Sequence, residues 1–129
     1  MGTHATISVE HANGTVSTVY LHYDGYPSHA GKVLQEHYNT LAKAEELVSH
    51  GHMSALYERV VPIGEHSFAR PEKGTCVFYG RDRGEPGAEP TQHLSVHGAR
   101  LSNREEYNYL FTGGKWLLSY YNKNRYDEL

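Results

Sequence analysis

Residues 5–22 read ATISVEHANGTVSTVYLH, and the way this stretch pairs with itself decides the architecture. Ile7 and Val9 alternate with polar neighbours over 5–11, the period of a strand with one buried face. Asn13-Gly14 then supplies the two positive-φ positions that a type I′ turn requires. Residues 15–22 return as a second strand, so 5–22 reads as a β-hairpin. A second hairpin is read from YNYLF (107–111), TGG and KWLLSYY (115–121). In it Tyr107, Tyr109 and Phe111 share one side, with Asn108 and Leu110 opposite. Leu117 and its neighbours Trp116 and Leu118 face opposite ways, so this strand is apolar on both sides. Helices cover one side. The other is covered by loop 60–74 or by a second copy of the chain, and a homodimer is expected.

Between the hairpins the period changes. Pro27 suits a first helical turn, and Ala30, Val33, Leu34, His37 and Tyr38 follow at helical spacing, predicting a helix over 28–38. Asn39 or Thr40 caps the next one, where Leu41, Ala44, Leu47 and Val48 form a stripe over 41–50 that Gly51 ends. A short third helix is expected near 53–59, and 60–74 reads as loop. TCVFYG (75–80) reads as a buried central strand and RDRGEPGAEP (81–90) as an exposed loop. HLSVH (93–97) suits a short strand, Ser102 to Glu105 matches a capping box opening one helical turn, and the tail NKNRYDEL frays or docks. The sum is one α+β domain over 1–129, ordered β-β-α-α-β-β-β. Its antiparallel sheet has about five strands, with two main helices packed on one face.

Composition excludes several function classes. The 129 residues are 38% hydrophobic and 21% charged, with a net charge of −3, too little positive charge to track nucleic-acid phosphates. No apolar run approaches the roughly 20 residues of a membrane span, and the N-terminus has no signal-peptide hydrophobic region. The single cysteine, Cys76, forbids an intrachain disulfide and fits a reducing cytosol; inside an apolar strand its thiol is inert. Tyrosine and histidine are plentiful, at 11 and 10. Tyrosine is a rigid amphipathic contact residue, and it is also a common strand former.

Two constellations carry the candidate chemistry. His22, Tyr23, Asp24, Gly25 and Tyr26 precede Pro27, where a strand ends and a helix begins. They form either an elbow, with Asp24 or Ser28 capping and Gly25 turning, or a binding turn at a helix N-terminus. An elbow needs an aspartate and a glycine; it does not need His22, Tyr23 and Tyr26 as well. After Tyr79, the run Arg81-Asp82-Arg83-Gly84 is either a locally salt-bridged turn or two guanidinium forks held out for a phosphate or carboxylate, with Asp82 orienting one of them. If the strands ending at these motifs are neighbours, both motifs converge into one patch with aromatic walls and cationic tips. Metal-ligand spacing is weak: His50-Gly-His52 and His93-x-x-x-His97 lack a helix and a third ligand, and no metal or cofactor is expected. No nucleophile elbow, P-loop or dinucleotide fingerprint occurs.

The residues that carry these features also carry a resemblance. ATISVEHANGTVSTVYLHYDGYPSHAGKVLQEHYNT, FYGRDRGE and EEYNYLF…GKW resemble a family of short bacteriophage and prophage proteins with no assigned activity. HYDGYP and FYGRDRG are its specific motifs; 86–104 and the tail lie outside the likeness. The resemblance implies a phage-encoded accessory protein in the cytoplasm of the bacterial host. Such a protein would act without catalysis on a host factor, for example as a counter-defence, anti-CRISPR-like inhibitor. The alternative is a binder of a nucleotide or another phosphorylated small molecule, with His22, Tyr26, Arg81 and Arg83 forming the pocket. A small hydrolase or nuclease using histidines comes third.

Overall fold

The computed structural model describes residues 3–120 and 125–129. Both hairpins form. Strands β1 (Ala5–Glu10) and β2 (Val16–Leu21) pair antiparallel, as do β6 (Tyr107–Thr112) and β7 (Lys115–Tyr120); Tyr121 lies outside the described residues. The sheet is mixed, because β6 lies parallel to β1, with Ile7 opposite Tyr109. Its order is β4-β3-β2-β1-β6-β7-β8, where β3 is Met53–Ala55, β4 is Val77–Phe78 and β8 is Asp127–Glu128. A further strand, β5 (Thr91–His93), pairs with the first half of β2, and β3 runs parallel to β2 at Leu21.

Parallel neighbours require a crossover of a dozen or more residues, and the chain supplies two. The first leaves β2 through a π-helical turn (Pro27–Gly31), α1 (Lys32–His37) and α2 (Leu41–Ser49) to reach β3. The second runs from β5 through α4 (Val96–Ser102) to β6; α3 is the short turn Tyr79–Arg83. The wholly antiparallel sheet is therefore corrected to a mixed one of eight strands. Helices read as an insertion between hairpins are in fact its crossovers.

The two faces differ in chemistry. Ile7, Val19, Leu21, Tyr109, Phe111, Trp116 and Leu118 face α1 and α2 and pack with Leu34, Leu47, Met53, Leu56 and Phe78 in the main core. Polar tips end on backbone carbonyls: Trp116 Nε1–H donates to Tyr38 O at 2.9 Å and Tyr109 OH to Gly25 O at 2.7 Å. The opposite face carries Thr6, Ser8, Thr18, Asn108 and Ser119, joined by hydrogen bonds that Asn103 completes from above. Beside them Val16 and Leu110 are covered by Val96 and Ala99 of α4 and, with Leu117, by Tyr126. Leu117 is thus half-buried within its own chain, packed with Tyr126 and the α4 residues and not with loop 60–74.

Other expectations shift for identifiable reasons. Thr40 caps α2, its hydroxyl accepting from the Lys43 N–H at 3.2 Å, and Gly51 follows at φ +86°. Residues 53–55 are strand instead of helix, because both sides of Met53 are taken by Leu21 and Phe78. The strand expected over 75–80 is cut to two residues, since the Asp82 carboxylate accepts the Phe78 N–H at 2.8 Å and the chain turns helical from Tyr79. Ser95, not Ser102, is the cap of the last helix, and Ser102 ends it. The tail docks through β8 onto β7.

Candidate functional site

The two motifs part company before they partly meet again. β2 is parallel to β3 and β4 is antiparallel to it, so the chain leaves β2 and β4 toward opposite ends of β3. Leu21, Met53 and Phe78 lie abreast in the core. Tyr20, His52 and Tyr79, one position away, therefore form a row directed to the opposite face. His52 closes a gap in the sheet: β5 starts opposite Thr18 and β3 starts opposite Leu21, and between them the Tyr20 N–H donates to His52 Nδ1 at 3.0 Å. Tyr79 N–H donates to His52 O at 3.1 Å.

That gap opens a cleft of about 340 Å³ lined by Tyr20, His52, Tyr79, Arg83, Glu85 and Ala88, among others. Its far wall is the loop Gly84–Pro90. The wall is seated by Ala88, whose carbonyl accepts the His52 N–H at 2.8 Å. A Cβ on Gly51 would stand 2.1 Å from that carbonyl oxygen, so glycine at 51 both ends α2 and lets the loop sit down. Burial lowers the pKa of His52 despite Glu89 nearby. His52 is thus a neutral imidazole whose Nδ1 accepts and whose proton sits on Nε2.

Of the FYGRDRG residues only Tyr79 and Arg83 reach this cleft. Arg81 turns inward. Its guanidinium donates to Val60 O at 2.5 Å, Cys76 O at 3.0 Å and Asp82 Oδ1 at 2.9 Å, and lies 4.7 Å from the Phe78 ring centroid. The Asp82 side chain is 6% exposed and also meets His66 Nε2 at 3.0 Å. Burial alone would raise its pKa, but hydrogen bonds from Arg81, Phe78 N–H and His66 outweigh that and lower it. Arg81 and Asp82 are removed from the candidate site: they hold loop 57–75 to the sheet. The same loop is braced by Glu72, which accepts from Ile63 N–H at 3.0 Å and Gly64 N–H at 2.7 Å; with the Thr75 hydroxyl, these bonds bring its pKa down to about 2.

The HYDGY residues form a separate rim. His22 stacks on His4 with centroids 4.7 Å apart, meets Tyr23 edge-on at 4.4 Å, and its Nδ1 lies 2.8 Å from Tyr20 OH. Tyr23 and Tyr26 are 47% and 37% exposed. No side chain caps the π-helical turn, so Asp24 and Ser28 are not caps. Asp24, not Gly25, takes the positive φ, at 57°. Gly25 is there for space, because a Cβ would stand 2.7 Å from both Ala5 Cβ and Thr3 O. The rim and the cleft adjoin through Tyr20, whose pKa is raised by burial and then by Glu105, Tyr79 and Tyr23.

A third cluster looks catalytic at first sight. Ser17 Oγ lies 2.6 Å from His11 Nε2, and His11 Nδ1 lies 2.6 Å from Glu45 Oε2. Ser17 is 5% exposed, paired on both sides by β1 and β5, and bonded to Gln92 at 2.7 Å. A hydroxyl held inside a strand paired on both sides leaves no room for a substrate, so the relay reads as a clamp joining the hairpin to α2 and β5. Among the described residues no three His, Cys, Asp or Glu side chains are grouped to hold a metal ion, and no helix is long and apolar enough to cross a membrane. The sequence alone does not single out Tyr20 or Glu85, and it offers His52 only as half of a weak metal pair with His50. Alternation from Leu21 would have placed Tyr20 on the outer face, but only the pairing of β3 brings His52 beside it. Comparison with family models, curated proteins and solved structures finds no match to this chain.

Proposed function

We propose that this chain is a non-catalytic binding protein whose recognition surface is the aromatic rim at His4, His22, Tyr23 and Tyr26. One observation carries the reading: Tyr23 and Tyr26 are exposed, with His4 and His22 half-buried beside them, on a backbone that does not need these rings. The elbow is held by Gly25, whose N–H donates to Thr3 O at 2.8 Å and whose carbonyl accepts from Tyr109. Rigid, exposed aromatic side chains with polar tips are the residues that dominate protein interfaces. The resemblance to phage proteins supplies the setting. In it the partner is a host protein, bound in the bacterial cytoplasm and inhibited by occupation, as in a counter-defence function.

Affinity capture from host extract with wild-type protein, followed by reconstitution with the purified partner, tests the proposal. Tyr23→Ala/Tyr26→Ala should abolish capture of a partner that Arg81→Lys retains. Failure to capture any partner, or capture indifferent to the two tyrosines, overturns it.

A further inference from the structure

The cleft behind the rim carries an inference of its own, independent of any protein partner. Arg83 and Glu85 both line it, two residues apart, yet no ion pair joins them. Among the described residues neither makes an ion pair with any other group. The reason for their separation is visible. The Arg83 guanidinium lies 5.1 Å from the centroid of Phe68, which also packs against Tyr79 at 5.6 Å. Gly84 between them takes φ +71°. A cation and a carboxylate held apart in one concave, aromatic-walled space complement a ligand that is anionic at one end and rich in N–H donors at the other.

We infer that the cleft binds a mononucleotide whose base presents two adjacent N–H donors, that is, a guanine-type base. The base lies against the Tyr20 and Tyr79 rings, which offer a flat contact surface of the kind bases stack on. Its N–H edge donates to both oxygens of Glu85, the bidentate pattern a carboxylate accepts. Its phosphate meets the guanidinium fork of Arg83. His52, neutral and with its proton on Nε2, adds a donor and no charge. The volume of about 340 Å³ falls at the small end of ligand sites and suits a mononucleotide better than a dinucleotide. This relocates the phosphate pocket expected from the sequence: Arg83 remains in it, His22, Tyr26 and Arg81 leave it, and Tyr20, His52, Tyr79 and Glu85 enter.

Four titrations followed by NMR of the backbone amides test the inference, using GMP, AMP, guanosine and inorganic phosphate. GMP is expected to perturb Tyr20, Tyr79 and Glu85, and to bind about tenfold more tightly than either AMP or guanosine, one charge-assisted contact being lost in each. Arg83→Gln should abolish the preference for GMP over guanosine and keep that over AMP. Glu85→Gln should do the reverse. Both sites are exposed, so an unchanged amide spectrum confirms that each variant folds. Equal binding of GMP, AMP and guanosine, saturation by phosphate alone at the same amides, or absence of perturbation by all four overturns the inference. Tyr23→Ala should leave the GMP titration unchanged, so loss of the protein partner and loss of the nucleotide are separate results.

Discussion

The elbow at 22–26 and the turn at 79–83 are alike in composition and opposite in use. Each follows a strand, and each mixes aromatic, charged and glycine residues. In the turn two of the three charges go inward: Arg81 and Asp82 are engaged by Val60 O, Cys76 O, Phe78 N–H and His66. In the elbow it is the backbone that is held, through Gly25, while Tyr23 and Tyr26 remain exposed. The difference lies outside both motifs. Loop 57–75 folds over the turn and brings acceptors to its arginine; among the described residues no comparable loop covers the elbow. An arginine beside an aspartate is a recognition element or a rivet according to what a distant segment does.

The largest effect should come from removing the rivet. Asp82→Ala leaves Arg81 and the Phe78 N–H without their shared acceptor in a site where the carboxylate is 6% exposed. A loss of about 3 kcal/mol is expected, as for other partly buried charged networks missing one member. Arg83→Ala, one residue away and without an ion pair, should change stability by less than about 0.5 kcal/mol. Urea unfolding of the two variants side by side measures the contrast. Equal losses would mean that both charges in the turn serve the fold alike.

At the elbow the corresponding break is in the backbone. Gly25→Ala places a methyl group 2.7 Å from Ala5 Cβ and Thr3 O, so the elbow or the start of β1 must shift. The expected cost is about 2 kcal/mol, in the range of overpacked sites. Asp24→Gly relieves a positive φ at a non-glycine residue but gives the unfolded chain more freedom, and should fall within about 0.5 kcal/mol of wild type. A small cost for the alanine and a large one for the glycine would reverse the roles assigned to residues 24 and 25.

What could be read in advance follows the range of the interactions involved. The hairpins at Asn13-Gly14 and Gly113-Gly114, the Thr40 cap and the Gly51 stop are local devices, and each is legible in a few residues. The alternation of Trp116, Leu117 and Leu118 foretold two covered faces, but not that Ala99 and Tyr126 would cover the second. Parallel pairing of β1 with β6 and of β2 with β3 depends on contacts far apart in the chain, and no local pattern announces it. The candidate site divides the same way. Tyr79 and Arg83 were named from the motif, and His22 and Tyr23 from their excess over what an elbow needs. His52 and Glu85 join them only because β3 seats one and Ala88 anchors the loop carrying the other.

The cleft and the rivet should also separate by pH. Burial lowers the pKa of His50, His52 and His93 from the ordinary 6.5, with Arg81 adding to the effect at His50. Their folded forms resist protonation, so as pH falls below 6.5 the unfolded chain binds more protons and stability drops. Asp82 and Glu72 are lowered from 3.8 and 4.5, so their contribution is intact above those values and is lost only as pH falls through their folded ones, about 2 for Glu72. Urea midpoints should therefore decline between pH 6.5 and 4.5 through the histidines, and again in stronger acid through the carboxylates. A midpoint that stays level down to pH 4.5 would show that burial at 50, 52 and 93 does not hold these rings neutral.

The smallest effect on stability is expected where the proposed function is concentrated. Tyr23 is 47% exposed, and its ring meets the His22 ring edge-on at 4.4 Å. Tyr23→Ala removes no hydrogen bond seen in the fold and should alter the urea midpoint by less than about 0.5 kcal/mol. Truncating an interface aromatic at the centre of a contact typically costs 2 kcal/mol or more in binding, roughly thirtyfold in affinity. The ratio of these two effects is the measurable difference between a rim kept for recognition and one kept for the fold. If Tyr23→Ala destabilises the chain as much as Asp82→Ala does, the elbow belongs with the rivet, and the contrast between the two motifs disappears.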